Sequence, residues 1–163
     1  MSRNIRRRPD AHSASDPIQV RGAAIRLLAR RDFASGELRE RLQKQGFEAA
    51  AVRVAVAGLV DDRLLDDGRY IGNYVTSRAD RGEGPVRIGV ELKALELPED
   101  LIEAALAAIT DWSARARALR ARRFGPDPPR DWAEKARQAR FLQYRGFSSD
   151  HIRLALGADL DLD

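Results

Sequence analysis

Three observations predict an all-α fold of three tandem three-helix repeats. A short block recurs three times at a spacing of fifty residues without gaps: Leu42-Gln43-Lys44-Gln45-Gly46-Phe47, Leu92-Lys93-Ala94-Leu95-Glu96-Leu97 and Leu142-Gln143-Tyr144-Arg145-Gly146-Phe147. A period of this order is the mark of stacked supersecondary units. Downstream of each block the apolar residues keep step, as in Val52, Ala55, Val56 and Leu59, whose i, i+3, i+4, i+7 spacing makes one buried helical stripe. Alternating runs of β-branched residues bounded by turns, the signature of strands, are missing.

Residues 1–17 hold Arg3, Arg6, Arg7, Arg8, two prolines and few large apolar residues, so a disordered basic tail is expected there. Repeat 1, taken as 18–60, opens with a helix bearing Ala24, Ile25, Leu27 and Leu28. Ser35 is expected to cap the second helix, because its hydroxyl can accept a free amide of the first turn, and Glu37 adds favourable charge there. That helix carries Leu38 and Leu42 and stops at Gly46, which tolerates a left-handed backbone; Phe47 follows as an apolar plug. Repeat 2, 61–110, opens at Leu65-Asp66-Asp67-Gly68-Arg69-Tyr70, with Asp66 or Asp67 as cap. Gly84-Pro85 marks a break and the first turn of the next helix, and Pro98-Glu99-Asp100 starts the last one. Repeat 3, 111–157, starts near Trp112, is broken by Gly125-Pro126-Asp127-Pro128-Pro129, and resumes with a helix over 130–145 and another capped by Ser148. An acidic tail, 158–163, ends the sequence. Nine helices stacking into an elongated curved body are therefore expected.

The composition argues for a binding protein. There is no Cys, and of two His one lies in the tail, which disfavours a zinc site; no P-loop or H-E-x-x-H motif occurs. Asp61, Asp62, Asp66 and Asp67 are the one candidate set for a magnesium-dependent nuclease, but carboxylates at a helix junction are what capping demands, and capping is preferred. Neither catalytic residues, nor a metal, nor a cofactor is expected. No run reaches the ~18 apolar residues of a membrane span, and cytoplasmic residence is expected. Charge is segregated: residues 113–145 hold ten Arg/Lys against three Asp/Glu, whereas 82–111 hold two against seven. That distribution predicts a basic face for DNA, single- or double-stranded, or for an acidic protein surface. The candidates are Arg115, Arg117, Arg120, Arg122, Arg123, Arg137 and Arg140, with Trp112, Trp132 and Tyr144 as either core or stacking rings for bases.

Over roughly 20–157 the sequence resembles the RecX regulatory proteins, modulators of the bacterial recombinase RecA. The likeness rests on the Leu42 to Phe47 block, on Leu65-Asp66-Asp67-Gly68-Arg69-Tyr70 with Tyr74-Val75, and on Gly84-Pro85 with Ile88. The motif positions Leu65, Asp66, Asp67, Tyr70, Gly84, Gly46, Phe47, Gly146 and Phe147 read as mainly structural. Repeat 2 departs from the pattern, with Glu96-Leu97-Pro98 in place of Gly and an apolar residue. The resemblance implies a protein that docks along the RecA–DNA filament and restrains its growth in recombination and repair, and a monomer is expected. It would thereby lower ATP hydrolysis, strand exchange and coprotease activity. The alternatives are a sequence-independent DNA-binding helical protein and, behind it, the metal-dependent nuclease.

Overall fold

In a computed structural model that describes residues 8–157, ten helices and no strand occur among the described residues. They are α1 (Ala11–Ser15), α2 (Pro17–Leu28), α3 (Ser35–Lys44), α4 (Ala49–Asp61), α5 (Asp67–Asp80), α6 (Pro85–Lys93), α7 (Glu99–Ala107), α8 (Trp112–Phe124), α9 (Trp132–Tyr144) and α10 (Ser149–Leu156). The fifty-residue period survives in the starts of α4, α7 and α10 at 49, 99 and 149. The chain divides into two compact units, Met1–Tyr70 and Ile71–Asp163, with α5 crossing the boundary.

The tenth helix is α1, where a disordered tail is expected from composition. Its Asp10 accepts the Ser13 amide at 2.8 Å, and Asp16 accepts the Ile18 amide at 2.9 Å, so two short acidic caps start α1 and α2 in succession. Ala14 is buried and its carbonyl accepts the Glu48 amide at 2.9 Å, which ties α1 to the start of α4. Average polarity hid two caps and one anchoring contact. Residues 1–7 of the expected tail, and the acidic tail at 158–163, lie outside the described residues.

In the first unit α2 packs on α4 and α3 on α4. Val20, Ala24, Leu27, Leu38, Leu42, Val52, Val56, Leu59 and Leu65 form one continuous apolar core. Helix α3 ends in a Schellman turn: Gly46 takes φ +102°, its amide donates to the Gln43 carbonyl, and the Phe47 amide donates to Leu42. The α9 terminus repeats this with Gly146 at φ +91°, Gly146 on Gln143 and Phe147 on Leu142. The middle copy puts Glu96 in the same left-handed region, φ +56°, where a side chain is strained.

Ser35 is not the cap of α3. It is the first helical residue, preceded by Ala34, and its amide and hydroxyl donate to the two carboxylate oxygens of Asp67 at 2.7 and 2.6 Å. One carboxylate thus supplies the cap from 32 residues downstream, while Asp66 accepts the Arg69 amide at 3.0 Å at the start of α5.

The second unit holds α6 with α7, and α8 with α9 and α10. Ile71, Val75, Ile88, Leu92, Ile102, Ala116 and Leu142 are buried there. Repeats 2 and 3 meet backbone to backbone inside this unit. The Gly84 amide donates to the Arg145 carbonyl at 2.8 Å and the Val86 amide to Gly146 at 3.0 Å. Free amides at the start of α6 are thereby satisfied by carbonyls at the end of α9, two sets that each helix leaves unpaired on its own. Arg145 adds its guanidinium, bonded to the carbonyls of Gly82 and Arg81.

A basic and aromatic face on helices eight and nine

Helix α8 is the most basic in the chain, yet its arginines do different work. Trp112, Ala116 and Arg120, four residues apart, form the buried stripe. Arg120 is 5% exposed and donates to the carbonyls of Pro126 at 3.1 Å and Asp127 at 2.9 Å, and to Gln138 Oε1 at 3.2 Å. The proline-rich loop brings few amides of its own to satisfy carbonyls, and Arg120 donates to them from below. It therefore leaves the set of surface contact candidates. Arg115 is committed as well, to Asp111 at 2.8 Å and Asp80 at 3.0 Å. Those two carboxylates, Asp111 first, hold its guanidinium above its usual range. Arg117 is exposed and donates to the Leu154 carbonyl at 3.3 Å, tying α8 to the end of α10.

Four of the seven candidates remain available. Arg122, Arg123, Arg137 and Arg140 are exposed, and none forms an ion pair with a described residue. Two of them flank a ring. Arg123 and Arg137 place their guanidinium carbons 5.8 and 5.4 Å from the centroid of Phe124, within cation–π range. Phe124 meets Phe141 edge to face at 5.4 Å, and the four residues line one surface hollow. A guanidinium held over a ring still presents its N–H edge, the geometry that forks onto phosphate or carboxylate. The two phenylalanines carry no family motif; the sequence signal for them is only that each adjoins a cation on a helix with period 3.6.

The proposed stacking residues divide. Trp112 is buried and donates to the Leu106 carbonyl at 3.1 Å, so it is core. Trp132 and Tyr144 are 74% and 78% exposed. The acidic set does not converge on a common point. Asp62 pairs with Arg21 at 2.7 Å, Asp66 and Asp67 cap α5 and α3, and Asp61 lies exposed at the end of α4. Among the described residues no group of three His, Cys, Asp or Glu side chains is arranged to hold a metal ion.

Comparison with known proteins decides the family. Residues 21–59, 66–106 and 111–156 match the first, second and third three-helix domains of RecX in turn. "Regulatory protein RecX" of Halorhodospira halophila is 44% identical over 150 residues, covering 91% of this chain and 92% of that one. The chain belongs to the RecX family. The RecX of Xanthomonas campestris is 40% identical, covering 85% and 86% of the two chains. A crystal structure of RecX from Lactobacillus salivarius aligns with a TM-score of 0.75 at 23% identity, covering 86% of this chain and 94% of that one, a likeness of fold. This RecX-family chain is a regulatory protein, not an enzyme, and no described helix is long and apolar enough to cross a membrane. The RecX pattern Leu65, Asp66, Asp67, Tyr70 overlaps the cap that joins α3 to α5, and Gly84 and Gly146 form the joint between repeats 2 and 3.

Proposed function

We propose that this RecX-family protein acts in the cytoplasm as a monomer, binds the RecA–DNA filament and restrains it, lowering ATP hydrolysis, strand exchange and coprotease activity. Identity of 44% across 92% of a regulatory RecX protein carries the reading. The face of α8 and α9 supplies a physical means. Arg122, Arg123, Arg137 and Arg140 are charged donors that form no ion pair with a described residue, so pairing them with phosphate or carboxylate costs no ion pair seen there. A regulator of this kind needs no chemistry. Binding one filament state in preference to free protomers, or covering the surface on which the next protomer adds, shifts the assembly equilibrium by the difference in affinity.

The test is ATP turnover by the cognate recombinase on single-stranded DNA. Inhibition at ratios well below one regulator per recombinase protomer is the expected result; turnover unchanged at saturation contradicts the reading. A second reading, direct sequence-independent binding to free DNA, is favoured by Phe124 and Phe141 beside their two arginines. It predicts an affinity that falls steeply with salt and does not depend on sequence.

A further inference from the structure

A second cationic site lies in the first unit. One face of α2 (Gln19, Ala23 and Arg26, spaced four and three) and Arg30 in the turn that follows it form one wall of a groove of about 700 Å³. Arg41 and Lys44, one turn apart at the end of α3, form another wall. The segment beginning Arg8-Pro9 closes it, with the Pro9 ring packed beside Gly46. Among the described residues no Asp or Glu lines the groove. Of the nearby carboxylates, Glu37 pairs with Arg31 and Glu40 with the wall residue Lys44, so the cations of the groove left without an ion pair are arginines. Arg8, Arg26, Arg30 and Arg41 are exposed and form no ion pair with a described residue. Between the cations, Ala23, Leu27 and half-buried Phe47 give an apolar floor.

We infer that this groove is a docking site for an acidic amphipathic helix of a partner protein. Charge complementarity fixes the sign of the occupant, and the floor fixes its second property. A groove of cationic walls over apolar carbons matches a helix that carries carboxylates on its flanks and aliphatic side chains on the face between them. Arginine is suited to such carboxylates because its fork takes both oxygens at once. A nucleic acid strand would satisfy the walls but not the floor. Among the described residues Phe47 is the only aromatic ring in the groove, so successive bases find no row of stacking platforms there.

The probe is a fluorescein-labelled helical peptide of about sixteen residues, roughly 24 Å long, with Leu at i, i+4, i+7 and i+11 and Glu flanking that stripe. Its anisotropy is followed on titration with the full chain. Saturable binding is expected, weakened at least about tenfold, or 1.4 kcal/mol, by the double change Arg30→Glu and Arg41→Glu. Arg53→Glu, at an exposed position of α4 that does not line the groove, should leave it unchanged, and a peptide with Lys in place of Glu should not bind. Absence of saturable binding, or binding indifferent to Arg30→Glu and Arg41→Glu, overturns the inference. So does an oligothymidylate that displaces the peptide and binds more tightly through the same two arginines. Should the charge reversals unfold the first unit, judged by circular dichroism, Arg30→Gln with Arg41→Gln serves in their place, with weakening of at least about threefold, 0.65 kcal/mol, expected and none overturning it. ATP turnover is not part of the readout, so the outcome stands apart from the filament assay.

Discussion

Replacing Gly84 with Ala adds one methyl group at the tightest joint in the protein. Gly84 has φ −90° and ψ 164°, which any residue can adopt, so the backbone conformation itself adds no penalty. The cost is contact. A Cβ at this position would lie 2.3 Å from the carbonyl carbon and oxygen of Gly146 and 2.4 Å from the Phe147 amide nitrogen. These are backbone atoms at the end of α9 and have no rotamer into which to retreat. The start of α6 must move away from them, and the bonds Gly84 to Arg145 and Val86 to Gly146, at 2.8 and 3.0 Å, lengthen or break. Overpacking costs about 1–3 kcal/mol. Two weakened backbone hydrogen bonds add about 0.5–1.5 kcal/mol each. A loss of about 2–6 kcal/mol follows, a large part of the 5–15 kcal/mol typical of a domain. Urea unfolding followed by Trp112 fluorescence reads the second unit, where Trp112 is buried. The midpoint should fall by at least about 0.7 M, given a slope of about 1–3 kcal/mol per molar. Gly72→Ala is the control, since a Cβ there meets nothing within 4 Å; being inside α5 it should stabilise by about 0.5–1 kcal/mol. A Gly84→Ala protein that unfolds within about 0.3 M of the parent would refute the close-joint account.

Asp67→Ala removes the remote cap of α3 and leaves the Ser35 amide and hydroxyl without their acceptor, so a loss of about 2 kcal/mol is expected in thermal unfolding; no change would mean that another group caps this helix. Glu96→Gly relieves a left-handed backbone at φ +56° and should stabilise by about 0.5–1 kcal/mol, the relief exceeding the entropy that glycine adds to the unfolded chain. Glu91 is held below the ordinary carboxylate range, first by the hydrogen bond from Tyr74 at 2.7 Å and then by Arg87 at 3.0 Å and Arg78. Its contribution is therefore complete above the unfolded value of about 4.3 and is lost as pH falls through the lower folded value. Glu91→Gln should flatten the fall of melting temperature in that acid window, and a slope equal to the parent's would count against the assignment.

Helix existence and order were legible because each repeat places one apolar stripe at period 3.6 and one stop signal at a fixed offset. Gly46 and Gly146 could be read as left-handed stops from the chain alone, since their capping bonds run to residues three and five positions back. Ser35 misled because its true partner, Asp67, is 32 residues away, and no local pattern reports a cap supplied from another helix. Arg120 misled for a different reason. In a helix with five arginines it was counted by its charge, although it continues the inward spacing of Trp112 and Ala116 and lies beneath a loop whose carbonyls need donors. The cationic groove of the first unit escaped notice because Asp32, Glu37 and Glu40 are interspersed among the seven Arg/Lys of residues 19–47; folding pairs Glu37 with Arg31 and Glu40 with Lys44, and among the described residues no carboxylate lines the groove.

The central claim is that a regulatory RecX protein acts on its recombinase through the unpaired arginines of α8 and α9. Inhibition of DNA-dependent ATP turnover should therefore be compared between the parent chain and the combined change Arg122→Glu, Arg123→Glu and Arg137→Glu, with folding checked by urea unfolding. These side chains are exposed and make no ion pair with a described residue, so the account predicts a folded variant whose stability falls only by the two lost cation–π contacts with Phe124, about 0.5–1 kcal/mol each, together with at least about tenfold more protein needed for half inhibition, some 1.4 kcal/mol of binding. Equal inhibition by a folded triple variant would contradict it and move the contact to another face of the molecule.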